Sequence, residues 1–123
     1  MKGETFMITG IGLDIVELER IRKLDERSSK FRERVLTESE LAEYLLLNNK
    51  RRTEFLAGRF AAKEAFAKAR GTGIGAACPF SDMEIRKDEN GKPGMFFRGA
   101  ECGFVSITHS KEFAAAQVVL QTE

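Results

Sequence analysis

FLAGRFAAKEAFAKARGTGIG, residues 55–75, reads as one long helix stopped by a run of glycines. Phe55, Leu56, Phe60 and Phe66 recur at helical spacing and supply a buried side. Glu64 and Lys68 stand four residues apart and share a face, while Arg59, Lys63 and Arg70 form a basic stripe beside them. Taken alone, this pattern fits a solvated face with one Glu–Lys pair worth ~0.2–0.5 kcal/mol. A partner for Glu64 elsewhere in the chain would change that reading. Gly58 costs ~1 kcal/mol against alanine in a helix interior, which points to a close approach by another helix or a ligand. Thr53 is placed to cap this helix, with Glu54 in its first turn. The glycine run Gly71–Gly75 follows a helix, whereas phosphate-binding glycine loops follow a strand and open a helix, so it reads as a C-cap and flexible turn.

Upstream, MITGIGL (7–13) reads as a strand with Ile11 and Leu13 on one face and Gly10 and Gly12 on the other. Two glycines on one face leave room for a neighbouring backbone or ligand. Ile15, Leu18, Ile21 and Leu24 then recur at helical spacing, which places the strand-to-helix junction at Asp14, with Asp14 as N-cap and Glu17 completing a capping box. A carboxylate has about four lone-pair sites, so capping and metal ligation are compatible. RSSKFRER (27–34) is polar and basic. Thr37 and Glu40 make a second capping box that opens a short helix with Leu41, Tyr44 and Leu45 inward. Residues 48–52 read as a basic link.

Downstream the chain turns to β. Residues 82–87 and 95–98 flank DENGKPG, whose Asn90-Gly91 pair is a hairpin signal. FVSIT (104–108) and FAAAQVVL (113–120) are two further strands, joined by residues 109–112 with the single histidine, His109. The expected fold class is α+β, helices packed on an antiparallel sheet.

Composition bounds the rest. The chain has 123 residues, enough for one domain, with residues 1–6 a loose lead-in, and 42% are apolar. Cys78 and Cys102 lack zinc-site spacing and read as reduced packing residues. No apolar run reaches membrane-spanning length and no signal-peptide pattern opens the chain, so a soluble, cytoplasmic protein is expected, with no membrane partner. A net charge of +1 conceals two basic stretches: residues 20–34 and 50–70 hold fourteen of the twenty Lys and Arg. Such focused charge suits an acidic ligand or protein partner better than nucleic acid.

Three features remain: a carboxylate after a glycine-rich strand, a carboxylate inside a basic helix, and one histidine in a polar turn. GIGLDI (10–15), FAAKEAFAKA (60–69) followed by GTGIG, and VSITHSKEFAAAQV (105–118) together resemble the short, holo-acyl-carrier-protein synthase type of 4′-phosphopantetheinyl transferase. The resemblance covers nearly the whole chain from Met7. It implies transfer of the 4′-phosphopantetheine arm of coenzyme A to a serine of an apo acyl carrier protein, with release of adenosine 3′,5′-bisphosphate. Asp14 and Glu64 fall on the family's Mg²⁺ carboxylates, and Mg²⁺ commonly takes one or two carboxylates with substrate phosphates and water. Lys68 falls on its motif lysine, which would stabilise developing phosphoryl charge or help take up the serine proton. Arg59, Lys63 and His109 would face the coenzyme A phosphates, and Gly71, Thr72 and Gly73 would offer backbone contact to the ligand, the plain C-cap being the alternative. Arg20, Lys23, Arg27, Lys30 and Arg34 would receive the acidic carrier. A homotrimer with active sites between protomers is implied as well. Two other readings of the residues stay open: a non-catalytic module that binds acidic proteins, and a Mg²⁺-dependent nucleotide hydrolase.

Overall fold

The computed structural model describes residues 6–122. Five strands, β1 (Ile8–Glu17), β2 (Met83–Lys87), β3 (Pro93–Phe97), β4 (Ala100–His109) and β5 (Phe113–Gln121), form one sheet in the order β1-β5-β4-β3-β2. Every neighbouring pair is antiparallel. Four helices, α1 (Leu18–Arg27), α2 (Lys30–Val35), α3 (Glu38–Leu45) and α4 (Asn49–Arg70), complete the expected α+β architecture. The long helix α4 lies on β1 and β5, with its buried Leu56, Ala61, Ala62, Ala65 and Phe66 against Val16, Ala114, Ala116 and Val118.

The glycine face of β1 does what its composition suggested. A Cβ at Gly10 would stand 2.1 Å from the Ala69 carbonyl oxygen, and one at Gly12 would stand 1.8 Å from that of Ala65. Only glycine lets the α4 backbone rest directly on the strand. Gly58 is explained similarly, because a Cβ there would meet Ile107 Cγ2 at 3.0 Å. The close neighbour is thus a strand side chain rather than a helix or ligand.

β3 and β4 start earlier than read, at Pro93 and Ala100, and four readings in the helical half differ from the structure. First, β1 runs past Asp14 to Glu17, so Asp14 caps nothing; it pairs with Ala116 in the ladder to β5. Strand alternation continues through Gly12, Asp14 and Val16 toward α4, and the ladder to β5 outweighs a helical spacing that Ile15 matched by coincidence. Glu17 precedes α1 without a side-chain cap bond. Second, the basic segment 27–34 contains most of α2. Third, α4 begins at Asn49: Asn48 Oδ1 accepts the Arg51 N–H at 3.0 Å, while Thr53 sits inside the helix and donates to the Asn49 carbonyl at 3.4 Å. Fourth, Leu45 points to solvent, leaving Tyr44 as the buried anchor of α3. The Thr37–Glu40 capping box forms as read, and so does the turn at Asn90-Gly91, where Gly91 takes φ 81°.

The register places Ile11, Leu13, Ile15, Phe104 and Phe113 on the sheet face away from α4. All five are exposed, so this apolar face is uncovered.

Candidate active site

Asp14 shares the α4-facing side of β1 with Gly10 and Gly12, so the same close packing that needs glycine delivers its carboxylate to α4. Lys68 Nζ donates to Asp14 Oδ1 and to the Leu13 carbonyl, both at 3.0 Å. The lysine's partner is therefore Asp14, and the surface Glu64–Lys68 pair is not formed. Glu64 itself takes part in no hydrogen bond or ion pair among the described residues. Burial pushes its carboxyl up from the ordinary value, and the negative charge of Asp14 adds to the effect; Lys68, Arg20 and Arg34 oppose it. Two neighbouring carboxylates, one half-buried and unpartnered, thus face a rim of three cations.

This donor set suits a hard divalent cation that retains open positions. No cluster of three or more His, Cys, Asp or Glu side chains occurs among the described residues; the two carboxylates could hold Mg²⁺, which commonly takes one or two carboxylates with substrate phosphates and water.

The other predicted residues divide. Arg20, Lys23 and Arg27 lie at positions i, i+3 and i+7 of α1, Lys30 and Arg34 at i and i+4 of α2, and all five are exposed. They form one basic surface whose Arg20 and Arg34 reach the field of Glu64. The Arg59/Lys63 stripe does not lie on the surface: both side chains are buried, at 5% and 0% exposure, and Arg59 Nε and Nη2 have no hydrogen-bond partner among the described residues. Lys63 Nζ donates to Glu40 Oε1 at 2.6 Å and to the Val35 carbonyl at 2.7 Å, and Arg59 stacks on Phe55 with its guanidinium carbon 4.2 Å from the ring centroid. Lys63 has no proton left for a phosphate at the surface.

Gly71 is a left-handed C-cap with φ 82°. The N–H groups of Gly71, Thr72 and Gly73 donate to the Lys68 and Ala67 carbonyls at 2.9, 3.2 and 3.1 Å. All three amides close the helix, as the C-cap alternative expects.

His109 ends β4, half-exposed, with Nδ1 3.8 Å from Glu54 Oε2. Glu54 precedes Glu64 by ten residues on α4, a rise of about 15 Å. One chain therefore separates His109 from the carboxylate pair. It lines instead a groove of about 1100 Å³ with Lys50, Arg52, Tyr44 and Lys111. The reading of the sequence overlooked Glu40 as more than a capping residue; its burial beside Lys63 had no local signal.

Residues 10–121 match the model of the 4′-phosphopantetheinyl transferase superfamily, and the chain belongs to that family. The holo-[acyl-carrier-protein] synthase of Bacillus subtilis (strain 168) is 59% identical over 117 residues, covering 94% of this chain and 97% of the relative. That of Geobacillus kaustophilus (strain HTA426) is 59% identical over 116 residues, covering 94% and 90%. In structure, the holo-(acyl-carrier-protein) synthase of Bacillus anthracis str. Ames in complex with CoA (3′,5′-ADP) superposes with a TM-score of 0.89 at 53% identity, covering 95% of this chain and 99% of that one. The chain is an enzyme of the holo-[acyl-carrier-protein] synthase type, a phosphopantetheinyl transferase.

Proposed function

We propose that this enzyme moves the 4′-phosphopantetheine group of coenzyme A to a serine hydroxyl of an apo acyl carrier protein, in a Mg²⁺-dependent reaction. The observation that carries the reading is the juxtaposition of Asp14, Glu64 and Lys68 across β1 and α4. Asp14 and Glu64 would hold the cation, which when bound supplies charge neutralisation on the diphosphate. The serine oxygen forms a bond to the phosphorus bearing the pantetheine arm, the bond from that phosphorus to the bridging oxygen breaks, adenosine 3′,5′-bisphosphate departs, and the serine proton is released. Lys68, anchored by Asp14 and the Leu13 carbonyl, keeps a cation beside the developing phosphoryl charge. The basic surface of α1 and α2 would dock the acidic carrier, steering it electrostatically, with Arg20 and Arg34 leading to the carboxylates.

The enzyme would work as a homotrimer with each active site between two protomers. Two observations support this: the apolar sheet face is uncovered, and His109 with its groove lies too far along α4 to serve the carboxylates of its own chain. His109 and the nearby Lys50 and Arg52 would then meet the coenzyme A phosphates from a neighbour. Both cysteines are free thiols, which accords with a cytoplasmic location.

The test is to incubate the protein with coenzyme A, Mg²⁺ and an apo acyl carrier protein and to weigh the carrier by mass spectrometry. A phosphopantetheine mass gain that disappears on chelation is the expected result. No gain with any divalent metal would refute transfer, and release of bisphosphate without carrier labelling would favour hydrolysis.

A further inference from the structure

Lys63 adjoins Glu64 in the chain, yet its side chain enters the core on another side of α4, roughly 100° round the helix. Its ammonium has three acceptors: the Val35 carbonyl at 2.7 Å, Glu40 Oε1 at 2.6 Å and the Phe80 carbonyl at 3.4 Å. Glu40 is equally committed, because Oε1 also accepts the Thr37 N–H and Oε2 accepts the Ile85 N–H, each at 2.9 Å. One ion pair thereby ties α4 to the last carbonyl of α2, the N-cap of α3, the turn at Phe80 and strand β2.

Stability alone does not explain such a pair, since well-packed apolar residues often serve as well or better. Direction does. Where α4 meets β1 the closest contact is glycine against alanine, and rotation about the helix axis is resisted there by side-chain packing and by the half-exposed Lys68, bonded to Asp14 and the Leu13 carbonyl. The bonds of Lys63 are directional, fully buried and on another side of the helix, and hold that rotation from the side of α2, α3 and β2. The same ammonium holds the C-terminus of α2, and Arg34, whose charge acts on Glu64, immediately precedes Val35.

We propose that the Lys63–Glu40 pair is the positioning element of the active site: it fixes the rotation of α4 relative to α2, α3 and β2, and so sets where the Glu64 carboxylate stands relative to Asp14 on β1. This rests on the Mg²⁺ reading given above. Neither residue touches substrate; both act through Glu64.

The experiment measures Mn²⁺ binding by electron paramagnetic resonance in the presence of coenzyme A, without turnover. Two variants are compared with the unaltered enzyme: Glu40→Asp, which keeps both charges but shortens the link by one methylene, and Lys63→Met/Glu40→Gln, which removes the charges together so that neither is left unpaired. Circular dichroism and thermal melts verify the fold. Folded variants should bind Mn²⁺ about 10–100-fold more weakly, the range typical of groups that orient a metal ligand. Leu56→Val, a core change on the same helix, should retain the unaltered affinity. Folded Glu40→Asp and double variants that bind Mn²⁺ within about twofold of the unaltered enzyme would overturn the inference and leave the transferase reading standing, as would an equal loss in Leu56→Val. Failure of the unaltered enzyme to bind Mn²⁺ at all would remove the Mg²⁺ reading and this inference with it.

Discussion

Two ion clusters flank α4, and they are built in opposite ways. At Glu40 and Lys63, with 1% and 0% side-chain exposure, both carboxylate oxygens and the ammonium find partners inside the protein. At Asp14, Glu64 and Lys68, the lysine is 52% exposed and Glu64 has no partner among the described residues. The first cluster has no capacity left for a ligand, whereas the second keeps carboxylate oxygens desolvated enough to favour a cation and open enough to receive one. Charge content does not separate the two: the Lys63–Glu40 pair is fully bonded, and Glu64 is not.

The strongest break of that comparison is Glu64→Gln. As a lost metal ligand it should reduce kcat/KM by more than the ~100-fold that supporting residues cost, measured by carrier labelling, while the fold persists. Its stability should change with pH in a defined sense. The folded-state pKa of Glu64 is raised above the ~4.3 of an unconstrained glutamate, so the group favours folding below about pH 4, and this contribution is lost as pH rises through the folded value. Glutamine is neutral throughout. The variant should therefore melt higher than the unaltered protein near neutrality and match it in acid; a difference that grows in acid would contradict the assignment.

A second contrast uses the two lysines. Lys63→Met leaves buried Glu40 with only Arg59, 3.9 Å away, as counter-ion and should cost about 3 kcal/mol in urea unfolding. Lys68→Met breaks a half-exposed pair and should cost below ~1 kcal/mol, yet slow turnover about 100-fold. Equal effects of both on stability, or a Lys68→Met enzyme with normal turnover, would dissolve the distinction between the clusters.

The smallest effect concerns the docking surface. Arg20→Glu with Arg27→Glu should raise the carrier KM roughly tenfold at low salt, less at high salt, with the coenzyme A KM unchanged. An equal loss of coenzyme A affinity would mean that this face also holds the cofactor.

Strands β2 to β5 were legible because alternation, the Asn90-Gly91 turn and the polar link 109–112 are local signals, each carried by a few adjacent residues. The end of β1 was not. Ile15, Leu18 and Ile21 satisfy a helical period, and only pairing as far as Phe113 keeps residues 14–17 extended. The start of α4 was missed for a related reason: Asn48 and Thr53 are both competent caps, and tertiary packing selected the earlier one. Lys63 was misplaced on the surface because its three acceptors lie 28, 23 and 17 residues away in sequence. No local pattern distinguishes it from Lys68.

By itself the sequence determined that a long helix must pack on a β-sheet, that Gly10 and Gly12 leave space on β1, and that Asp14, Glu64 and Lys68 belong to one family pattern. The first two depend on residue type and short spacing, and the third on the resemblance to a known family. The tertiary structure decided which backbone fills the glycine space, and through it that Asp14 meets Lys68 and Glu64 on α4. It also decided which cations lie buried and which lie open. Burial and pairing are properties of residues distant in the chain, so the helix at residues 49–70 acquires one structural flank and one chemical flank only when the sheet and the two basic helices close around it.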